Sequence, residues 1–234
     1  MNKKRIIVLI LVIVSGIFYY NLTEDISYEK QQIQVTRIID GDTIEDSSGQ
    51  SYRLLGINTP ERNQPYYEEA KQFLLNLIEN KTVSIEFKEK DKYSRVLTYI
   101  YFQNKQVNSE LLKQGLATLY VYEKDENYKE LEKAEKYARD NNLNLWKKSE
   151  KYGCIKLINL KYNEGGERCT NQEQLILENS CNSIQVIIKD DANHIYKETI
   201  NQGLFTKNFS CIWNDEGDSL YVRDEKGLLL FYRY

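Results

Sequence analysis

Short apolar runs separated by polar turns dominate the chain from residue 31 to about residue 102. Strand-like pieces lie at 33–35, 43–45, 52–55, 83–87 and 96–102, and residues 46–49 (DSSG) predict a hairpin turn. After Pro65, apolar residues at 70, 73, 74, 77 and 78 recur at helical spacing, which predicts one amphipathic helix. A short helix capped by Asn108 and ended by Gly115, and a longer one before Trp146, should follow. This order predicts a small β-barrel with added helices.

The pattern changes near residue 150. Beyond residue 151 the helical period disappears, and β-type runs at 175–177, 183–188, 219–222 and 228–234 predict an all-β sandwich. All the cysteines and the single histidine lie in this part: Cys154, Cys169, Cys181, Cys211 and His194. We therefore expect two domains, 31–150 and 151–234.

The N-terminal segment predicts membrane targeting. Residues 3–5 (KKR) precede an uncharged apolar run at 6–20. That length suits a signal sequence better than a spanning helix, which needs about 20 residues. No small-x-small cleavage site follows, which favours an uncleaved membrane-anchor helix over a cleaved leader or a buried core helix. Residues 1–30 are then anchor and tether, and the rest of the chain is cell-membrane-bound and outward-facing, or secreted.

Cysteine usage fits an outward-facing chain. Thiols oxidise in that compartment, and the four cysteines contain no C-x-x-C pair for zinc, so we expect disulfides whose pairing stays open.

Charge limits the way in which this chain could hold a polyanion. The formal net charge is −3, and residues 31–150 hold 18 Lys and Arg against 20 Asp and Glu, so no broad basic surface is expected. Any nucleic-acid contact must come from a few placed cationic side chains and aromatic rings. A single histidine also excludes His-based catalytic dyads and His-rich zinc sites.

Oxygen-bearing side chains at 40–43 (DGDT) and 58–61 (NTPE) suggest a site for a hard cation. Asp42, Asn58 and the carbonyl of Thr59 are candidate ligands of the kind that calcium prefers. Alone, Asp-Gly-Asp usually marks a turn, and Asn-Thr-Pro-Glu is a common helix start.

Two arginines and one carboxylate would complete a phosphodiester-cleaving site. Arg53 and Arg95 can each offer paired, planar donors to phosphate oxygens. Glu61 can orient or deprotonate a water molecule. Taken singly, each arginine could be an ordinary solvated surface residue.

Several ordered blocks resemble the staphylococcal nuclease (thermonuclease) family over residues 35–146. They are 39–43 (IDGDT), 52–55 (YRLL), 58–61 (NTPE), 91–95 (DKYSR), 107–117 (VNSELLKQGLA), 120–122 (YVY) and 143–146 (LNLW). The resemblance implies an OB-fold five-stranded β-barrel with added α-helices, an α+β domain. It also implies calcium-dependent hydrolysis of DNA and RNA with low sequence specificity, leaving 3′-phosphate ends.

The resemblance assigns roles to the site residues. It implies that Asp42 binds Ca2+, that Arg53 and Arg95 bind the scissile phosphate, and that Glu61 acts on the attacking water. One position departs from the family prototype, which has a second calcium-binding aspartate where this chain has Asn58. An amide oxygen can still bind calcium, but with one negative charge fewer the site should hold the ion less tightly.

Four further residues are implied to bind substrate. Lys92 and Tyr93 would touch a neighbouring phosphate, and Tyr120 and Tyr122 would lie beside a base, where stacking tolerates any sequence. The alternative for the tyrosines is ordinary packing, since the chain contains 19 of them.

The C-terminal part resembles a lamin tail domain, which implies an immunoglobulin-like sandwich. The blocks that carry this resemblance are 175–179 (LILEN), 187–190 (IIKD), 194–196 (HIY) and 211–224 (CIWNDEGDSLYVRD) with Gly227. We expect His194 to be structural, Trp213 to lie in the core and the acidic stretch 215–218 to form a turn.

The combined expectation is a membrane-tethered nuclease that acts on external DNA and RNA without an obligate protein partner. Two other classes stay open. One is a non-catalytic nucleic-acid-binding barrel, and the other is a surface-attachment protein that works through the sandwich.

Overall fold

The computed structural model describes residues 30–120, 124–162, 173–192, 194–210, 212–214 and 217–234. The predicted anchor and tether, apart from residue 30, lie outside these residues, as do Tyr122, Cys169 and Cys211. Within them, no helix combines the length and the apolar character that crossing a bilayer requires.

Five strands close into a barrel in the first half of the chain. They are β1 (Gln31–Ile38), β2 (Thr43–Asp46), β3 (Ser51–Leu54), β5 (Thr82–Lys90) and β6 (Val96–Phe102). Their order is β3-β2-β1-β5-β6, and a parallel pairing of β3 with β6 closes the ring. This confirms the predicted five-stranded OB-like barrel.

A β-bulge explains the apolar spacing of β1. Ile33 and Val35 point into the core at the strand period of two, but the next core residue is Ile38, three positions on. The pairing of β1 with β2 shifts register between Val35 and Arg37. The extra residue keeps Ile38 on the inner face and bends the strand.

Short elements surround the barrel. The strands are β4 (Ile57–Asn58), β7 (Lys105–Gln106) and β8 (Thr118–Leu119), and the helices are α1 (Tyr67–Ile78), α2 (Val107–Lys113) and α3 (Tyr128–Asp140), followed by a 3-10 turn at Asn144–Trp146. Helix α1 buries Ala70, Leu74 and Ile78 against the barrel core, at the spacing of four that the sequence predicted.

The predicted cap of α2 is wrong. The helix begins at Val107, and Asn108 lies inside it with its side chain buried. The Asn108 amide links the middle of β6 to the residue after β3, because Oδ1 accepts from the Ile100 N–H at 3.0 Å and Nδ2 donates to the Leu55 carbonyl at 2.8 Å. The predicted end is confirmed by the left-handed Gly115 (φ 68°), which follows the last turn.

Seven strands form two sheets in the second half of the chain. One sheet has the order β13-β10-β9, and the other β12-β11-β14-β15. Their bounds are β9 (Ile155–Lys161), β10 (Glu173–Asn179), β11 (Ile184–Lys189), β12 (Ile195–Ile200), β13 (Gly203–Phe209), β14 (Ser219–Arg223) and β15 (Leu228–Arg233). Residues from both sheets share one hydrophobic core, which includes Trp213. We call this unit the sandwich.

A disulfide between Cys154 and Cys181 joins the start of β9 to the turn after β10. His194 takes a structural role, since Nδ1 lies 2.5 Å from the carboxylate of Asp190 on the same loop.

A small apolar cluster joins the barrel to the sandwich. Trp146, which has no exposed surface, packs against Tyr221, Leu228 and Phe231 of the sandwich. The rings of Trp146 and Phe231 meet edge to face at 5.0 Å. The two units are therefore packed together rather than joined only by a linker.

Charged groups surround this apolar cluster. Glu135 of α3 is buried and forms a two-pronged ion pair with Arg233 of β15. Arg223 of β14 donates to the carbonyl of Leu145. We call the apolar cluster and these polar contacts the interface.

Candidate active site

Asp42 is the centre of a contact network at one edge of the barrel. Its Oδ2 accepts from the Thr59 N–H at 2.9 Å and the Thr59 hydroxyl at 2.8 Å. Its Oδ1 lies 3.1 Å from Nε of Arg53 and accepts from the Thr43 hydroxyl at 3.2 Å. Because β2 and β3 pair with Thr43 opposite Arg53, the sheet register itself brings this arginine beside Asp42.

A second carboxylate, Asp40, supports the same loop. Its Oδ1 accepts from the Asp42 N–H at 3.0 Å. Burial raises the pKa of Asp40, and the negative charge of Asp42 raises it further. Asp40 was not among the predicted site residues, although the Asp-Gly-Asp pattern was a signal for it. A Cβ at Gly41 would lie 2.7 Å from the Thr59 hydroxyl oxygen, so this approach requires glycine.

Asn58 connects the barrel site to the sandwich. It lies in β4 opposite Thr118, and its Oδ1 accepts from Nη2 of Arg53 at 3.3 Å. On the other side, its Nδ2 donates to the carbonyl of Asp191 at 3.2 Å and approaches that of Ala192 at 3.5 Å. Asp191 and Ala192 are functional-site neighbours that sequence reasoning missed, because backbone carbonyls leave no trace in a local pattern.

The donor chemistry here fits a hard divalent cation. A carboxylate from Asp42, an amide oxygen from Asn58 and the carbonyl of Thr59 are the oxygen ligands that calcium takes. Across the described parts of the chain, no group of three or more His, Cys, Asp or Glu side chains could hold a metal. The predicted set contains a single carboxylate and does not depend on such a group.

Arg53 lies on β3, and Arg95 lies at the end of the turn that leads into β6. Arg53 pairs with Leu97 across the parallel β3–β6 contact, and Arg95 lies two residues before Leu97. The parallel contact therefore brings the segment that carries Arg95 next to the strand that carries Arg53.

Arg95 is held by the turn between β5 and β6. Its Nε donates to Oδ2 of Asp91 at 2.7 Å, and Oδ1 of Asp91 accepts from the N–H groups of Tyr93 and Arg95. Burial opposes ionisation of Asp91, but these hydrogen bonds outweigh it and lower the pKa of that carboxyl. The turn carries Lys92, whose ammonium lies 5.1 Å from the Tyr93 ring centre. Tyr93 is 69% exposed.

Glu61 and Tyr120 lie on the two segments that follow the paired strands β4 and β8. Glu61 is exposed at the start of the loop after Thr59, where its backbone N–H donates to the Gln64 side chain at 3.1 Å. Tyr120 is half-buried, and its N–H donates to the carbonyl of Gly56 at 3.0 Å. Tyr122 lies outside the described residues.

The structure therefore brings four of the predicted residues into direct contact: Asp42, Arg53, Asn58 and Thr59. Arg95, Lys92 and Tyr93 form a second group on the β5–β6 turn.

A closed OB-like barrel with an oxygen-rich loop beside Arg53 defines the class of fold. Residues 51–148 match the family model described as staphylococcal nuclease homologue. The chain is 37% identical over 122 residues to thermonuclease of Staphylococcus hyicus, covering 47% of this chain and 72% of that protein. It is 33% identical over 153 residues to thermonuclease of Staphylococcus intermedius, covering 57% and 90%. It is also 37% identical over 115 residues to endonuclease YncB of Bacillus subtilis, covering 43% and 54%.

The chain belongs to the staphylococcal nuclease family. The matched residues end at 148, so the resemblance of residues 151–234 to a lamin tail domain stays a prediction.

Proposed function

We propose that the protein is a calcium-dependent nuclease that hydrolyses phosphodiester bonds of DNA and RNA with low sequence specificity. The observation that carries this proposal is the contact network of Asp42, Arg53, Asn58 and Thr59 at the barrel edge, in a member of a nuclease family. Its relatives include proteins named thermonuclease and endonuclease, which supports the same activity.

Each residue of the network has a task in this proposal. Asp42, Asn58 and the Thr59 carbonyl would hold Ca2+, which would neutralise charge on the phosphate undergoing attack. Arg53 and Arg95 bind the phosphate oxygens through charge-assisted hydrogen bonds, which strengthen as negative charge develops in the transition state. Glu61 orients or deprotonates the attacking water.

The remaining predicted substrate residues extend this proposal along the nucleic-acid strand. Lys92 and Tyr93 are proposed to contact the adjacent phosphate, and Tyr120 and Tyr122 to lie beside a base. The exposure of Tyr93 supports its part, because the ring is open to a ligand.

Activity assays with matched variants test the proposal. The purified protein should cleave plasmid DNA and RNA with calcium and stop when a chelator is added. Glu61→Ala and Arg95→Ala should each lose a hundredfold or more in rate, on the order of the loss seen when one catalytic group is removed. Two exposed residues of the same barrel, changed as Glu89→Ala and Arg37→Ala, serve as controls and should cleave normally.

Three results would contradict the residue roles or favour another class of protein. Full activity in both catalytic variants would reject the residue roles. Metal-independent binding of DNA without cleavage would favour a non-catalytic nucleic-acid-binding barrel. Attachment to a surface without any affinity for nucleic acid would favour the third class.

Asn58 gives a direct test of the ion site. Asn58→Asp adds a negative charge, so the calcium concentration for half-maximal rate should fall on the order of tenfold, since one charge pair near a protein surface contributes about 1 kcal/mol or more. The same change turns a donor toward the carbonyls of Asp191 and Ala192 into an acceptor, so the interface should weaken. An unchanged calcium requirement would argue against Asn58 as a ligand.

We further propose that the protein acts outside the cytoplasmic membrane, held by its N-terminal apolar segment, or is secreted. The basic residues at 3–5 and the apolar run at 6–20 support this location. The Cys154–Cys181 disulfide is typical of an oxidising compartment and supports it too. Fractionating cells that express a C-terminally tagged chain distinguishes membrane-bound, released and cytoplasmic protein.

The sandwich is proposed to be a lamin tail-like, immunoglobulin-like unit. Two sheets of three and four strands around one core support that architecture.

A further inference from the structure

A cleft of about 620 Å3 lies between the barrel and the sandwich. The barrel wall is the segment from Asn58 to Tyr66, which begins inside the predicted ion site. The other wall is the outer face of the sheet β12-β11-β14, including Lys189 and Arg223. This volume falls within the range of about 300–1,000 Å3 that is usual for small-molecule sites.

The sheet register explains why two cations face the cleft. Strands β11 and β14 pair with Ile187 opposite Arg223 and Ile188 opposite Val222. Ile188 and Val222 are buried in the sandwich core, so the alternating residues must point outward. Lys189 and Arg223 are outward-facing and only partly exposed, because the barrel covers that face.

Among the described residues neither cation forms an ion pair within 4 Å, although Asp190, Asp191 and Asp218 lie close enough to Lys189 to favour its charged form. Nζ of Lys189 donates to the carbonyl of Asp190 at 2.9 Å, and the guanidinium of Arg223 donates to the carbonyl of Leu145. Burial lowers the pKa of both groups. Covering cations that lack a close ion pair is costly, and an anion in the cleft would offset part of that cost.

The acidic residues that line the cleft are Glu69, Asp224 and Glu225, and in the described structure none of them forms an ion pair with Lys189 or Arg223. Asp224 is already engaged, since it accepts from the Ser149 hydroxyl at 2.6 Å and from the Gly227 N–H at 2.9 Å. A second lysine, Lys197, is exposed at the cleft, without an ion pair in the described structure.

We propose that Lys189 and Arg223 form a second phosphate site for the nucleic-acid strand, in the cleft beside the cleavage site. This inference rests on the proposed function. Asn58 borders both the predicted ion site and the cleft, so a strand with one phosphate beside Arg53 can place another near Lys189. The site belongs to residues beyond the matched family region, and it gives the sandwich a part in substrate binding.

Binding experiments on the full chain test this site. The probe is a labelled eight-nucleotide oligothymidylate, measured by filter binding in chelator so that it is not cleaved, at 50–300 mM NaCl. Lys189→Gln should raise Kd about fivefold to tenfold and reduce the slope of log K against log salt by about 0.7, the value for one phosphate contact on a single strand. Lys161→Gln removes an exposed lysine of β9 and should leave both quantities unchanged.

Substrate length gives a second readout. With calcium, the loss of kcat/KM caused by Lys189→Gln should be about fivefold greater on the octamer than on a dinucleotide, which is too short to occupy both sites. Lys189→Arg keeps the charge and should restore most of the binding. If Lys189→Gln does not fold, Lys197→Gln at the cleft edge should give a weaker loss in the same direction.

The outcomes separate this inference from the proposed function. If the protein cleaves both substrates but the glutamine variant matches the wild type in Kd, salt slope and length dependence, the second site is refuted and the nuclease stands. If the wild type cleaves neither substrate, the proposed function fails. If Lys189→Gln weakens competition by inorganic phosphate but not oligonucleotide binding, the cleft takes free phosphate and the inference is again overturned.

Discussion

Replacing Arg233 with methionine should weaken the interface mainly through the buried carboxylate of Glu135, and to a smaller extent through Asp191, whose Oδ1 lies 3.5 Å from the guanidinium. The side chain of Glu135 is 1% exposed, and both of its oxygens contact the Arg233 guanidinium. Methionine fills most of the same space but removes the charge and the donors. Glu135 would keep only the Leu119 N–H at 2.8 Å and a long contact to Arg139 at 3.5 Å.

The expected loss in the free energy of unfolding depends on the contacts that Glu135 keeps in the variant. Removing one partner of a buried ion pair costs about 3–5 kcal/mol, because the other charge stays buried. Since two contacts to Glu135 remain, we expect the lower end, about 3 kcal/mol. For a chain of this size, about 1 kcal/mol shifts Tm by roughly 2–4 °C, so the variant should melt roughly 6–12 °C lower if barrel and sandwich unfold together.

Urea unfolding followed by circular dichroism, together with calorimetry, measures this effect. The double variant Glu135→Gln/Arg233→Met should recover about 2 kcal/mol, because glutamine is neutral and still accepts from Leu119. Lys136→Met breaks an exposed pair with Asp140 on the same helix and should change nothing measurable. If Arg233→Met behaves like that control, or if the double variant recovers nothing, the pair does not hold the interface.

Three more predictions address stability. Burial raises the pKa of Asp191 to about 6 from its usual 3.8, so the folded state binds this proton more tightly than the unfolded chain does. The stability of the wild type relative to Asp191→Asn should therefore fall as pH rises from about 4 to about 6 and stay level above pH 6. A stability difference that rises with pH would contradict this. Gly115→Ala should lower the free energy of unfolding by more than about 2 kcal/mol, because φ is 68° and the new Cβ would lie 2.4 Å from the carbonyl oxygen of Leu143. The control Gly49→Ala, also at positive φ but with no atom near the new Cβ, should cost about 1 kcal/mol. Equal losses in thermal unfolding would refute the clash at Gly115. The double variant Cys154→Ala/Cys181→Ala removes a disulfide that joins residues 27 positions apart. Because the unfolded chain gains the entropy of that opened loop, the free energy of unfolding in urea titrations should fall by about 3.5 kcal/mol. An unchanged free energy of unfolding would exclude this account.

Local pattern was enough to predict the barrel but not the whole sandwich. The barrel strands alternate between a buried and a solvated face, and α1 shows its buried face at regular spacing. Strands β9, β12 and β13 were missed because at least half of the residues in each are exposed, so few buried apolar positions mark them in the sequence. Asn108 was misread as a cap because an asparagine before an apolar run looks the same whether it caps a helix or links buried strands.

In the candidate active site, too, some contacts could be predicted from the sequence and others could not. Spacing and family resemblance predicted that Asp42, Arg53 and Asn58 would meet, because all three lie within residues 42–58, on or beside short consecutive strands of the barrel edge. The carbonyls of Asp191 and Ala192 reach Asn58 from more than 130 positions away along the chain. Such contacts depend on how two folded units pack, and no short-range pattern encodes that packing.

The placement of the two tryptophans has a spectroscopic consequence. The chain contains only Trp146 and Trp213; the first is buried at the interface and the second in the sandwich core. Changing Trp213 to phenylalanine would leave one indole whose emission reports on undocking of the sandwich from the barrel. The fluorescence of Trp146 would therefore show whether the barrel and the sandwich are docked, and the effect of added nucleic acid on that docking could be measured without an attached dye.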